Sequence, residues 1–198
     1  MEESEIMDSM GDGSTINSVS STEIPLSAMP YDRGLYKHWI DADGDCQNTR
    51  HEVLIEESQV DVEFKTDEQC IVSAGRWLDP YTGEIFTDPQ ELDVDHVVPL
   101  REAHISGAYL WDSKKKERYA NDLDDAGHLV AVSLSANRSK GAKDPADWLP
   151  PYTSFHEEYA RVWIRIKQRW ELTFDDAEIA ALEKILGMEG SVLIGSNL

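Results

Sequence analysis

The stretch Leu92 to Leu100 reads LDVDHVVPL. Apolar Leu92, Val94 and Val97 set around two aspartates predict a short strand. It must end before Pro99, because proline donates no ladder N–H and biases its predecessor toward extended backbone. On a regular strand Asp95 and His96 face opposite ways, so a pocket that holds both needs the strand to end or bend there. Downstream, GHLVAVS from Gly127 predicts a second strand. LSANRSKG then predicts a short helix with Ser135 as N-cap and Gly141 as its stop. Strand, helical insertion, strand and short helix bring Asp95, His96 and Asn137 toward one point.

Between the strands, residues 101–122 divide into two short helices broken near Gly107 and Asp112. Upstream, Tyr31, Leu35, Tyr36 and Trp39 predict a short helix over about 32–39, and residues 50–58 a second one. The segment around DPYTG reads as strand, turn, strand. Downstream, SFHEEYARVWIRIKQRW carries Ser154 and Glu157 as a capping box ahead of Tyr159, Trp163, Ile166 and Trp170 on one face. TFDDAEIAALEKILG predicts a last helix that starts at Thr173 and Asp176 and is closed by Gly187. The division is an acidic, loosely packed arm over 1–29, one domain over 30–187 with its centre at about 92–143, and a tail over 188–198.

The chain has 198 residues, enough for one domain with a hydrophobic core, and a formal net charge of -21 from 39 acidic and 18 basic residues. Such acidity argues against a general nucleic-acid surface and for solubility, a saline setting or a basic partner. The acids crowd the first 94 residues. The bases gather later, as Arg138, Lys140 and Lys143, with Arg101, Lys114, Lys115, Lys116 and Arg118 able to enlarge the same face, while Arg161, Arg165, Lys167 and Arg169 lie along the long late helix. No apolar run has transmembrane length and the N-terminus has no signal-peptide pattern; the chain as written reads as cytoplasmic, with secretion the reading if an upstream signal was removed. Two cysteines, Cys46 and Cys70, exclude a four-cysteine zinc site and leave one disulfide or two buried thiols.

Asp41, Asp43 and Asp45 alternate around Gly44 like the opening of a calcium loop. The expectation here is that His or Arg occupies the place of the closing glutamate, so a calcium-binding hand is not anticipated.

Asp, His and Asn in the centre suit one chemistry. Phosphodiester hydrolysis needs a base that is unprotonated near neutral pH, which imidazole provides. It also needs a cation at the phosphate oxygens, for which a carboxylate and an amide oxygen are suitable hard ligands. Taken singly, each residue has an ordinary structural reading: Asp95–His96 a strand end, Asn137 a helix-start residue, His128 a hydrogen-bonded strand-start residue. The conjunction carries the weight.

DVDHVVPL, SGAYLW, YANDL and HLVAVSLSANRSKGAKDPADWLP resemble the HNH endonuclease family that includes the C-terminal nuclease domain of GmrSD-type restriction enzymes and small secreted bacterial nucleases. The likeness extends to YDRGLYKHWIDADGDCQNTRHEVLI, GRWLDPYTG and EEYARVWIRIKQRWELTFDDAEIAAL, about residues 31–183. It implies an α+β fold, a ββα-metal (His-Me) finger with flanking helices, and metal-dependent cleavage of nucleic-acid phosphodiesters. It further implies His96 as general base, Asp95 and Asn137 as ligands of one Mg²⁺ or Mn²⁺, His128 in a supporting role, and Arg138, Lys140 and Lys143 as phosphate contacts. The expected substrate is DNA, and because no base-reading helix, OB-like barrel or zinc module is evident in the sequence, low sequence specificity is expected. Secreted relatives commonly have a further cysteine where this chain has Glu157 or Glu158; a bond between Cys46 and Cys70 would favour export. The competing reading is a non-catalytic acidic module that binds a basic protein or mimics DNA.

Overall fold

The strand that ends at Pro99 pairs with the apolar run after Gly127, and the rest of the chain is arranged around that pair. The computed structural model describes residues 30–188, so the expected arm over 1–29 and all but the first residue of the expected tail lie outside the described residues. In chain order the elements are α1 (Thr49–Glu56), β1 (Glu63–Phe64), β2 (Val72–Ala74), β3 (Trp77–Leu78), β4 (Ile85–Phe86), β5 (Leu92–His96), α2 (Leu100–Ile105), α3 (Ser113–Ala120), β6 (Leu129–Ser133), α4 (Leu134–Lys140), α5 (His156–Arg169) and α6 (Asp176–Leu186). The architecture is α+β: β5, β6 and α4 form a ββα unit flanked by helices, with β1–β2 and β3–β4 as small separate hairpins.

β5 and β6 pair antiparallel from Leu92 opposite Ser133 to His96 opposite Leu129. Both faces of the pair are covered. On one, Val130 and Val132 pack with Val97, Val98 and Ala136 against Tyr159, Trp163 and Ile166 of α5. On the other, Leu92, Val94, Leu129 and Ala131 pack with Val53 and Leu54 of α1 and with Trp77. Burial on two sides explains why β6 reads as a continuous apolar run, all five residues buried, instead of alternating. Among the described residues, no helix is long and apolar enough to cross a membrane.

A two-stranded ladder leaves outward N–H groups on β6 without strand partners. Carboxylates take their place: Glu57 Oε2 accepts from Ala131 N at 2.7 Å, and Asp79 Oδ2 accepts from Ser133 N at 3.0 Å. Burial pushes the Glu57 carboxyl up to about 7, opposed by that hydrogen bond. A carboxyl raised in the folded state favours folding fully below its unfolded value and loses that contribution as pH rises through its folded value. Glu57→Gln keeps a carbonyl acceptor for Ala131 and removes the ionisation. The variant is expected to match the parent near pH 4 and to exceed it by at most about 3 kcal/mol at pH 8, read by urea unfolding at both pH values.

Several local expectations are corrected. Residues 32–39 hold only a 3-10 turn, Arg33–Leu35: Trp39 takes a positive φ of 58°, and buried Tyr36 is anchored by a 3.0 Å contact from its hydroxyl to His104 Nδ1. The N-cap of α4 is Ser133, not Ser135. β6 passes into the helix with no loop, so its last extended residue supplies the cap. The Ser154–Glu157 box does not form, because a 3-10 turn over Thr153–Phe155 leads straight into α5. The capping box of α6 is Asp175 with Glu178. Glu178 also pairs with buried Lys167 at 2.7 Å, as Glu102 of α2 does at 2.8 Å, so one ammonium locks α2, α5 and α6 together. Cys46 and Cys70 form a disulfide.

Candidate functional site

Asp95 lies next to last on β5, on the face that meets α4. Its Oδ2 accepts the Tyr81 hydroxyl at 2.8 Å and the Lys140 ammonium at 2.7 Å; Oδ1 takes part in neither bond. Tyr81 reaches this point because its turn is tied down: Asp79 accepts from Tyr81 N at 2.7 Å and from Ser133 N of β6 at 3.0 Å. Burial pushes the Asp95 carboxyl up and the Lys140 ammonium down, and each charge opposes the shift in the other.

His96 closes β5. Its Nε2 lies 3.0 Å from Ala120 O. A carbonyl only accepts, so Nε2 carries the proton and Nδ1 the lone pair. The ring is stacked between Trp39, at 5.8 Å and 29°, and Tyr119, at 6.4 Å and 13°. Burial first, then neighbouring His128, holds its pKa well below the ordinary imidazole value, which keeps the ring neutral. His128 is fully buried and makes the matching bond, Nε2 donating to Tyr119 O at 2.8 Å. Two imidazoles thus satisfy successive carbonyls at the end of α3, groups that a helix leaves without internal partners. The His128 backbone carbonyl accepts from Val97 N at 3.0 Å, extending the β5–β6 pairing past His96.

Asn137, half-buried on α4, donates from Nδ2 to Asp93 Oδ2 at 3.0 Å. This turns the amide so that its oxygen is the uncommitted atom. Asp95, His96 and Asn137 all line one cleft of about 370 Å³, with Arg33, Arg101 and Arg138 at its margin. The strand does not have to distort to present both Asp95 and His96: it ends at His96, and the cleft lies over that end.

The basic residues divide differently from the expectation. Arg138 and Arg101 line the cleft. Lys140 does not reach solvent, being 0% exposed, and its ammonium is held by Asp95 and by His96 O at 2.9 Å; a phosphate contact from it is corrected to a structural ion pair beneath Asp95. Lys143 is turned back onto Ser139 O at 2.9 Å, outside the cleft lining. Lys116 donates to Trp111 O, and Arg165 and Arg169 pair with Asp125 and Asp122. Lys115, Arg118 and Arg169 line a separate hollow with Glu117, Asp122 and Asp124. Sequence reasoning missed Arg33, Trp39, Tyr81 and Asp93. Only Asp93 carried a visible signal, as the alternate residue on the Asp95 face of the strand.

The family described as GmrSD restriction endonucleases, C-terminal domain, matches residues 49–185. The chain belongs to that family. The matched span runs from the start of α1 nearly to the end of α6, so it contains Asp95, His96, Asn137 and their supports, while Arg33, Trp39 and Asp41–Asp45 precede it. The chain is also similar to a protein of Arthroderma benhamiae described as an uncharacterized secreted protein, 37% identical over 156 residues, covering 79% of this chain and 74% of the relative. No solved structure matches. Membership in the GmrSD C-terminal family makes this a nuclease-type domain, in agreement with the ββα unit at its centre.

Proposed function

We propose that this GmrSD-type domain is a divalent-metal-dependent endonuclease that hydrolyses phosphodiester bonds of nucleic acid, DNA with low sequence specificity. The observation that carries the reading is that Asp95, His96 and Asn137 open on one cleft margined by three arginines, in a chain of net charge -21. A purely acidic binding module would have no reason to gather guanidinium groups there.

The donor set fits a hard cation: the Asp95 carboxylate and the Asn137 amide oxygen, the latter exposed by the Asn137–Asp93 bond, would hold Mg²⁺ or Mn²⁺. When bound, the ion supplies positive charge to the phosphate oxygens as negative charge accumulates on them. His96 acts as general base. Its Nδ1 lone pair accepts a proton from the attacking water, while the Nε2–H bond to Ala120 O fixes the ring and gains strength as the ring becomes cationic. Tyr81 and Lys140 hold the Asp95 carboxylate in place through Oδ2. Arg33, Arg101 and Arg138 provide the phosphate grip. The Cys46–Cys70 disulfide suits an oxidising compartment, which favours an exported protein.

The test is incubation of plasmid DNA and of RNA with the protein in Mg²⁺, in Mn²⁺ or in EDTA, at low and high salt. The expected result is metal-dependent nicking and degradation of DNA that weakens steeply with salt. Absence of cleavage with either metal would refute the reading, and cleavage of RNA alone would move the substrate. Arg138→Ala is expected to raise KM with little change in kcat and to make the salt slope shallower by about one phosphate contact.

A further inference from the structure

A second cluster of oxygen ligands lies outside the nuclease centre, in the loop that leads into α1. The carboxylate oxygens of Asp41, Asp43 and Asp45 are exposed and lie within 4.8 Å of one another. Counted from Asp41, the twelfth residue is Glu52, not the His or Arg expected from the sequence, and it stands in the first turn of α1. That is the spacing at which a calcium hand places its closing glutamate.

Glu52 supplies an observation independent of the aspartates. Its Oε2 is buried and has no hydrogen-bond partner. Beyond burial, the charges that raise this carboxyl are those of Asp43, Asp45 and Asp41, so Glu52 lies within their field while outside the group whose oxygens all fall within 4.8 Å of one another. A buried carboxylate oxygen with no donor, in the field of three further acids, is costly unless a cation joins them. The backbone is already shaped for one. Gly44 and Cys46, the fourth and sixth residues, have φ of 82° and 76°, and Asp41 accepts from both their N–H groups, at 2.7 and 3.0 Å. A calcium hand makes its sharp turn at the sixth position with glycine; here Cys46 holds that conformation and is tied by its disulfide to Cys70. The loop is closed at its base by Thr49 N donating to Ile40 O at 2.8 Å.

We propose that residues 41–52 form a Ca²⁺ site whose ligands are the carboxylates of Asp41, Asp43, Asp45 and Glu52, together with the Gln47 carbonyl at the seventh position. Several carboxylates around one loop favour Ca²⁺ over Mg²⁺, which demands tighter octahedral geometry and retains its water. The cation would fasten the segment that adjoins the nuclease centre, since Trp39, stacked on His96, immediately precedes the loop and α1, which follows it, packs on β5 and β6. The site goes beyond the nuclease reading and stands or falls without it.

The test is calorimetric titration of CaCl₂ into the full chain with Mg²⁺ in excess, alongside thermal unfolding with and without Ca²⁺. One Ca²⁺ per chain is expected, with Kd of about 1 mM or tighter, and a melting temperature raised by about 5 °C at saturation. Glu52→Gln and Asp43→Asn should each weaken binding at least tenfold and remove most of the thermal shift, while Asn137→Ala retains both. Asp43 is exposed, so its variant decides the matter if Glu52→Gln fails to fold. Absence of Ca²⁺ binding in the parent chain would overturn the proposal. So would binding that survives both loop substitutions or is lost in Asn137→Ala. None of these readouts depends on cleavage, so they separate this site from the nuclease assignment.

Discussion

His96→Ala is expected to lower DNA cleavage by about 10²- to 10⁴-fold, the range that a positioned general base contributes, while leaving metal binding in place. The reason is geometric. Nε2 is committed to Ala120 O, so Nδ1 is the only ring atom able to take a proton, and no other imidazole lines the cleft. His128 cannot substitute: it is fully buried, with its own Nε2 committed to Tyr119 O. The substitution also affects stability. His96 is 4% exposed and packed between two aromatic rings, so alanine leaves a cavity and a carbonyl without its donor. A loss of about 1–3 kcal/mol follows, and cleavage is therefore to be compared at a temperature where circular dichroism shows both proteins folded. A drop in cleavage that follows only the fraction folded would contradict the base assignment.

Lys140→Met is expected to destabilise the protein by about 3–5 kcal/mol, because it leaves the Asp95 carboxylate buried without its cation. The measurement is the urea midpoint at neutral pH. An exposed lysine that only touched phosphate would change stability by less than about 0.5 kcal/mol on replacement and would show itself in the salt dependence of binding. The same variant is expected to weaken metal affinity, since Asp95 deprived of Lys140 is driven by burial toward its neutral form, which is a poor ligand. A folded Lys140→Met protein of unchanged midpoint would place the ammonium outside the core.

The ββα unit was legible because both strands and the helix are local. Alternation around Asp93 and Asp95, the apolar run after Gly127, and the stop at Gly141 each state their element within a few residues. The interior position of Lys140 was also legible in principle. It lies four residues after buried Ala136, on the same helical face, but its charge argued for the surface and a buried partner on β5 could not be seen. Arg33 and Trp39 were not legible, because one reaches the cleft and the other stacks on His96 from a distant segment, through a 3-10 turn and a positive-φ residue that helical periodicity cannot signal. Caps were misplaced where strand or 3-10 turn runs directly into helix, since the cap is then set by the preceding backbone and not by the nearest serine. Glu52 was open to simple counting from Asp41; the structure adds that its oxygen is buried without a partner.

The proposed hydrolysis requires Asp95 and Asn137 to share one cation beside His96. Its most direct test is anomalous diffraction from crystals of the His96→Ala protein soaked in Mn²⁺. The prediction is an anomalous peak in the cleft, within ligand distance of Asp95 Oδ1 and Asn137 Oδ1, that disappears in Asn137→Ala. A cleft without a peak in fully soaked crystals, or a peak there that ignores the loss of Asn137, would contradict it.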